Sequence, residues 1–312
     1  MSFASSVQSE LARVEPEQGC CARAELAALL LNKSTLSQLA NDYLLTVEVD
    51  NPALGRKIYK YLRDIYGFQS SVQVIEKSKL RKNRGYVVKT VLTPTKLENI
   101  KEIIHINNNL ISPKLDIAEV NSCCKRAYVR GLFLSRGYVN RPEGNYHLEF
   151  MVNDEALAIK VQEYLGTFDI DLKIIQRKKS FLLYIKESEQ IADFLRVVGA
   201  NKALLEFENI RILKSMRNNV NRQVNCETAN LAKTIDASVR QTEIINNLVS
   251  TGVIDNLPYQ LKELAYIRLD YPEATLKELG EILNPPLSKS GIAYRMRKLE
   301  QVAGELLDTS FN

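Results

Sequence analysis

Histidine is almost absent from this chain: His105 and His147 are the only two among 312 residues. Cysteine is scarcely commoner. The five thiols, Cys20, Cys21, Cys123, Cys124 and Cys226, are an odd number, which argues against a disulfide framework. Neighbouring Cys-Cys dipeptides are poor metal-ligand spacing, and two histidines add little. The thiols are therefore expected to pack as small buried hydrophobes, with no metal and no cofactor. No uninterrupted apolar run approaches the ~20 residues that cross a bilayer, so no membrane partner is expected. The opening "MSFASSVQSELARVEPEQ" lacks the long apolar core of a secretory signal, and a cytoplasmic protein is expected. What remains is ordinary for a globular chain: 45% apolar and 25% charged residues, with length for two or three domains.

The net charge of +5 says little alone, but its placement is uneven. Between Arg56 and Lys101 twelve Lys or Arg residues stand against three Asp or Glu. "KSKLRKNRG" at 77–85, which holds Lys79, Arg81, Lys82 and Arg84, has five basic residues and no acid. The span from Lys125 to Arg141 matches it. A shorter run is Arg177, Lys178 and Lys179. Basic loops gathered in this way point to a polyanion partner. A solvated basic face is the competing reading.

The chain repeats itself. "CCARAELAALLLNKSTL" (20–36) and "CCKRAYVRGLFLSRGYV" (123–139) lie 103 residues apart, and "LTVEVD" and "LEFMVN" keep that offset at Leu45 and Leu148. Both of the latter alternate apolar and polar residues, as half-buried strands do. Each copy then continues through a helix-period segment, two more strands joined by a basic loop, and a closing helix. The pattern predicts an α+β fold of two αββαββα repeats, near 15–108 and 118–202, within a domain over 1–212. Packed about a pseudo-two-fold axis, the leading helices lie side by side. Ala27, Ala28, Gly131 and Ser135 are small enough for close approach, and a glycine within a helix needs such a reason.

"VRGLFLSRG" (129–137) resembles the LAGLIDADG motif of homing endonucleases, and "LAALLLNKS" (26–34) is a weaker version of it. The resemblance implies antiparallel saddle sheets over duplex DNA, with the basic hairpin loops near the phosphates. A nuclease of that kind carries a carboxylate just before the last motif residue, to hold divalent metal. Here those positions are Lys33 and Arg136. Two cations repel magnesium, and Glu25, Asp42, Asp50 and Glu143 lie elsewhere in the sequence. The catalytic positions are read as lost, and no enzymatic activity is expected.

Residues 213–256 read as a helical linker, with Arg217, Arg222 and Arg240 as candidate backbone contacts. The segment 257–312 reads as three short helices. The first runs near Tyr259 to Leu269. Thr275 and Glu278 make a capping box at the start of the second. Pro285 and Pro286 force a turn, and Ser288 or Ser290 caps the third. In that third helix Ile292, Met296, Leu299 and Ala303 form an apolar stripe. Ser288, Lys289, Ser290, Tyr294, Arg295, Arg297 and Lys298 lie on or beside the opposite face. This is a helix-turn-helix in which Ser290, Tyr294 and Arg297 can reach base edges and the lysines and Arg295 phosphates. A plain helical bundle with a solvated basic face is the bland alternative.

The duplication, the stretch "RNNVNRQVNCETAN" and the tail "LPYQLKELAYIRLDYPEATLKELGEILNPPLSKSGIAYRMRKLEQ" together resemble the WhiA family. The resemblance covers essentially the whole chain. It implies a nucleoid-associated, double-stranded-DNA-binding transcriptional regulator on a homing-endonuclease scaffold that no longer cuts. Roles in sporulation, cell division and chromosome segregation follow from it, with other transcription or division proteins as further partners. It leaves open whether the saddle touches DNA or protein. A metal-dependent endonuclease and a partner-binding scaffold are the rival functions.

Overall fold

Residues 103 apart in sequence occupy matching places in the first part of the protein. The computed structural model describes residues 2–76, 84–107, 110–114, 116 and 120–310, and the chain forms two units, Met1–Ser215 and Met216–Asn312. In the first, a short helix α1 (Phe3–Leu11) precedes α2 (Gly19–Lys33), β1 (Ser34–Leu39), β2 (Asp42–Val49), α3 (Pro52–Tyr66), β3 (Ser70–Glu76), β4 (Arg84–Leu92) and α4 (Pro94–Ile100). A hairpin of β5 (Ile104–Asn107) and β6 (Leu110–Pro113) leads to the second copy. That copy runs α5 (Ser122–Arg136), β7 (Gly137–Val139), β8 (Leu148–Val152), α6 (Glu155–Gly166), β9 (Lys173–Arg177), β10 (Ser180–Ile185) and α7 (Ser188–Val198). The duplicated αββαββα order expected from patterning is the order observed.

The two four-stranded sheets are antiparallel with the same topology, β1-β2-β4-β3 and β7-β8-β10-β9. Local chemistry sets the element ends. Asn51 accepts from the Ala53 amide at 2.8 Å with Pro52 at the first helical position, and α3 stops at Gly67, whose φ of +67° suits glycine. Asp154 caps α6 through the Leu157 amide at 2.7 Å. One sheet face packs on α2, α5 and the flanking helices; Leu45, Val47 and Val88 from one sheet and Leu148, Phe150 and Leu183 from the other join a single core with them. The other face of each sheet is open. Helix α1 and the β5–β6 hairpin lie outside the predicted repeat order.

Helix α8 (Asn201–Ser250) begins in the first unit and ends in the second; it covers the expected linker only as far as Ser250, beyond which Gly252 takes a φ of +70°. A 3-10 turn at Val253–Asn256 then leads to α9 (Tyr259–Asp270), α10 (Leu276–Ile282) and α11 (Lys289–Ser310). The end of α8 is part of the second unit's core, because Ile245 and Leu248 pack with Leu261, Ala265, Leu299 and Ala303. A second cluster joins Leu264, Leu279, Leu283, Ile292 and Met296. Among the described residues no helix is long and apolar enough to cross a membrane.

Candidate nucleic-acid interface

The two central helices meet through corresponding residues. Asn32 Nδ2 donates to Ser135 Oγ at 2.9 Å, and the Cys21 and Cys124 sulfurs lie 3.9 Å apart; each pair is separated by 103 residues. Gly131 faces its counterpart Ala28. A Cβ built on Gly131 would stand 2.6 Å from the Glu25 carbonyl oxygen and 2.8 Å from the Ala28 Cβ, so glycine sets how near the backbones come. Ala28, Gly131 and Ser135 therefore serve the close approach expected of them.

Within this seam lies a charged cluster that sequence reasoning missed. Glu25 is fully buried, 2.6 Å from Lys57 Nζ and 2.9 Å from Arg130 Nη2. Tyr61 donates its hydroxyl to Glu25 Oε2 at 3.0 Å, and Lys57 also donates to the carbonyls of Leu11 and Val14. Burial pulls the Lys57 ammonium below the ordinary lysine range, although Glu25 opposes this. Burial likewise raises the Tyr61 phenol, and the Glu25 charge adds to it. The cluster spans both repeats without following the repeat symmetry, since Glu25 corresponds to Tyr128 and Ala27 to Arg130. A lone acid inside "AELAALLL" was the available signal.

The motif ends carry cations. Lys33 is half-buried at the last turn of α2, and Arg136 is exposed at the last turn of α5. Arg136 Nη1 donates to Asn153 Oδ1 at 3.1 Å, and the Ser180 hydroxyl donates to the same oxygen at 2.8 Å. Of the nearby acids, Glu25 is committed to Lys57 and Arg130. Guanidinium and ammonium groups cannot ligate magnesium.

The open sheet faces differ. Strand alternation and register place Thr35, Thr46, Glu48, Lys89, Ser71 and Gln73 on one face of the first sheet. On the second, Tyr138, Glu149, Met151, Tyr184, Lys173 and Ile175 share a face, mixing apolar and charged groups. Arg177, Lys178 and Lys179 form an exposed hairpin end, with Lys178 at a φ of +55°. Arg84 is exposed at the start of β4. Lys79, Arg81 and Lys82 lie outside the described residues.

The C-terminal unit is built as its sequence signals. Thr275 Oγ1 accepts from the Glu278 amide and Glu278 Oε2 accepts from the Thr275 amide, completing the box. That second bond holds the Glu278 carboxyl below its usual range. Buried Arg268 donates to the Ala274 carbonyl at 2.7 Å, fixing the loop between α9 and α10. The Leu287 amide donates to Gly280 at 2.9 Å, closing the Pro285–Pro286 turn over α10. A Cβ at Gly280 would lie 2.2 Å from the Leu287 carbonyl oxygen. Ser288 caps α11 through the Gly291 amide at 3.2 Å, and its hydroxyl pairs with that of Ser290 at 3.0 Å. Ile292, Met296, Leu299 and Ala303 are buried; Ser288, Lys289, Ser290, Tyr294, Arg297 and Lys298 are exposed. Arg295 is half-buried. In α8, Arg217 and Arg222 are exposed, whereas Arg240 faces Glu300 at 3.7 Å.

The thiols correct the sequence reading. Only Cys21 and Cys124 are buried; Cys20 and Cys226 are exposed and Cys123 is half-buried. Spacing along one chain misled, because two helices bring four of the five sulfurs together. Among the described residues this set is the only group of three or more His, Cys, Asp or Glu placed to hold one ion.

Three family descriptions fit the chain: the WhiA N-terminal LAGLIDADG-like domain over residues 19–104, the WhiA LAGLIDADG-like domain over 125–217 and the WhiA C-terminal HTH domain over 220–303. A protein named "Probable cell division protein WhiA" from Syntrophomonas wolfei is 49% identical, with 98% of this chain and 99% of that protein covered. The protein of the same name from Heliobacterium modesticaldum is 44% identical over 97% of this chain and 96% of its own length. The crystal structure of full-length DUF199/WhiA from Thermatoga maritima superposes with a TM-score of 0.59 at 25% identity, covering 98% of this chain and 99% of that one. With paired motif helices that end in cations and, later in the sequence, a capped helix-turn-helix, the chain belongs to the WhiA family.

Proposed function

We propose that this chain is a non-enzymatic, sequence-specific binder of double-stranded DNA that regulates transcription in cell division, chromosome segregation or sporulation. It would work in the cytoplasm, at the nucleoid. The observation that carries the reading is the division of α11 into a buried apolar stripe and an exposed side bearing Ser290, Tyr294, Arg297 and Lys298. The HTH match over 220–303 and the names of the relatives support it. Arg297 suits base reading through a bidentate contact to guanine, while Lys289, Arg295 and Lys298 suit phosphate contacts. Lys33 and Arg136 stand where metal-binding carboxylates are needed, which argues against cleavage.

The test begins with duplexes selected by the protein from a random pool. Arg297→Ala is expected to weaken binding to a selected duplex by about 1–3 kcal/mol, measured by fluorescence anisotropy, with little change on a scrambled duplex. An unaltered preference would take Arg297 off the reading face. Magnesium-dependent nicking of the selected duplex would restore the endonuclease reading.

The basic hairpin poses a separate question. Replacing Arg177, Lys178 and Lys179 with alanine is expected to weaken selected and scrambled duplexes alike. The slope of log affinity against log salt should fall by roughly three, since each phosphate contact contributes about 0.9. An unchanged slope would place the hairpin away from DNA. A protein-binding role for the second sheet is the alternative there, favoured by the exposed Tyr138 and Ile175 beside Glu149 on its open face.

A further inference from the structure

Four of the five cysteines meet at one end of the central helix pair. The Sγ atoms of Cys20, Cys21, Cys123 and Cys124 all lie within 4.8 Å of one another, and Cys21 and Cys124 are 3.9 Å apart. Each helix supplies two neighbouring thiols. Adjacent side chains on a helix point about 100° apart, so each pair straddles the seam, with Cys21 and Cys124 facing inward and Cys20 and Cys123 reaching solvent.

These distances have a specific meaning. A zinc ion bound to four thiolates at about 2.3 Å fixes the sulfurs at the corners of a tetrahedron with edges of about 3.8 Å. The observed set is already near that size, and rotation about Cα–Cβ bonds closes the remainder. A tetrahedron also has two-fold axes, so two equivalent ligand pairs about the pseudo-dyad suit it. The borderline-soft zinc ion and all-sulfur ligands match chemically.

Burial raises the Cys21 and Cys124 thiols, a cost that ligation to a cation must offset. The thiols occupy the first turns of α2 and α5, where neither Gln18 nor Asn121 caps the helix through a side chain, although the Cys21 amide donates to the Gln18 carbonyl at 3.0 Å. Both helix N-termini therefore direct partial positive charge toward the sulfurs. The first turn of α5 continues into Lys125 and Arg126; Arg126 lines the neighbouring cavity with Cys21, Cys123, Glu15 and Glu17 and is paired with Glu17 at 3.1 Å. Four thiolates around one divalent cation carry two net negative charges, which the two helix N-termini and Lys125 offset in part. Packing alone gives no reason for two solvent-reaching thiols to converge on two buried ones.

We propose that Cys20, Cys21, Cys123 and Cys124 form a structural tetrathiolate site for one zinc ion, which joins the N-terminal ends of the two central helices. Binding converts four thiols to thiolates and releases four protons, with no change of oxidation state. The site ties one repeat to the other and is independent of whether the chain binds DNA.

The experiment uses the full chain, purified without a metal-binding tag under reducing conditions. Metal is counted by elemental mass spectrometry. Chelator-stripped protein is then titrated with cobalt(II) as a spectroscopic stand-in. About one zinc per chain is expected, as for a closed four-ligand site, with the sulfur-to-cobalt charge-transfer band and intense visible bands of tetrahedral thiolate coordination. Cys20→Ser/Cys123→Ser should lower zinc affinity by more than the roughly 10–100-fold that loss of an outer partner costs. Cys226→Ser, far along α8, should leave the metal count unchanged. Should the double variant fail to fold, Cys20→Ser alone serves, because one thiolate fewer weakens the charge-transfer band in proportion. Metal at trace level with no thiolate band overturns the proposal. So does zinc binding that survives both serine variants, or a disulfide between the helices in a protein whose reduced form takes up no metal.

Discussion

Glu25→Ala is expected to lower the stability of the first unit by about 3–5 kcal/mol. The carboxylate is fully buried and answers Lys57 and Arg130, each only 7% exposed, while accepting the Tyr61 hydroxyl. Its removal leaves two cations in a seam with little water to solvate them. Their remaining hydrogen bonds go to the carbonyls of Leu11, Val14 and Val198, which cannot neutralise charge. Glu25→Gln should also be strongly destabilising, because it keeps the shape but loses the charge. Urea denaturation followed by circular dichroism measures both. Joint replacement as Glu25→Leu/Lys57→Met/Arg130→Met should recover most of the loss, since apolar residues of similar size often substitute for a buried ion cluster at no net cost. If Glu25→Ala changes the midpoint no more than a surface substitution, the cluster is not holding the repeats together.

Gly131→Val is the second large effect, expected at about 3 kcal/mol, the upper end of overpacking costs. The added carbon meets the Glu25 backbone carbonyl and the Ala28 side chain rather than a flexible chain end, so relief requires the helices to separate. Gly131→Ala should cost less, since the roughly 1 kcal/mol gained in helix propensity offsets part of the clash. Gly304 gives the opposite sign in the same assay. It lies within α11 with nothing within 4 Å of a built Cβ, so Gly304→Ala should stabilise by up to about 1 kcal/mol. Equal behaviour of the two alanine variants would remove close helix approach as the reason for glycine at 131.

These two sites also mark where sequence reading succeeded and stopped. The glycine was legible because a residue costly to a helix sat in a motif repeated at a fixed offset. The helix-turn-helix was legible for similar reasons: Thr275, Glu278, Pro285 and Ser288 are local signals whose partners lie within a few residues. Glu25 was not, because Lys57 and Arg130 are 32 and 105 residues away, and no local pattern joins them. The thiol cluster failed for the same reason, since its geometry arises only when two helix ends are laid together. Helix α1 was not anticipated, although Phe3, Val7 and Leu11 mark its buried side. The exposed face of α11 is legible as charge, but charge does not by itself name a base sequence.

The unlike residues at corresponding places on α2 and α5 have a consequence for assembly. Two copies of α2 laid face to face would put Ala27 where Arg130 meets Glu25, and two copies of α5 would put Tyr128 where Glu25 meets Arg130, so each charge would lose its partner across the seam. A buried charge that loses its partner is costly. Each half of the duplication is thus poorly suited to its own likeness and well suited to its sibling. The seam is completed within one molecule, with a second molecule disfavoured as a substitute partner.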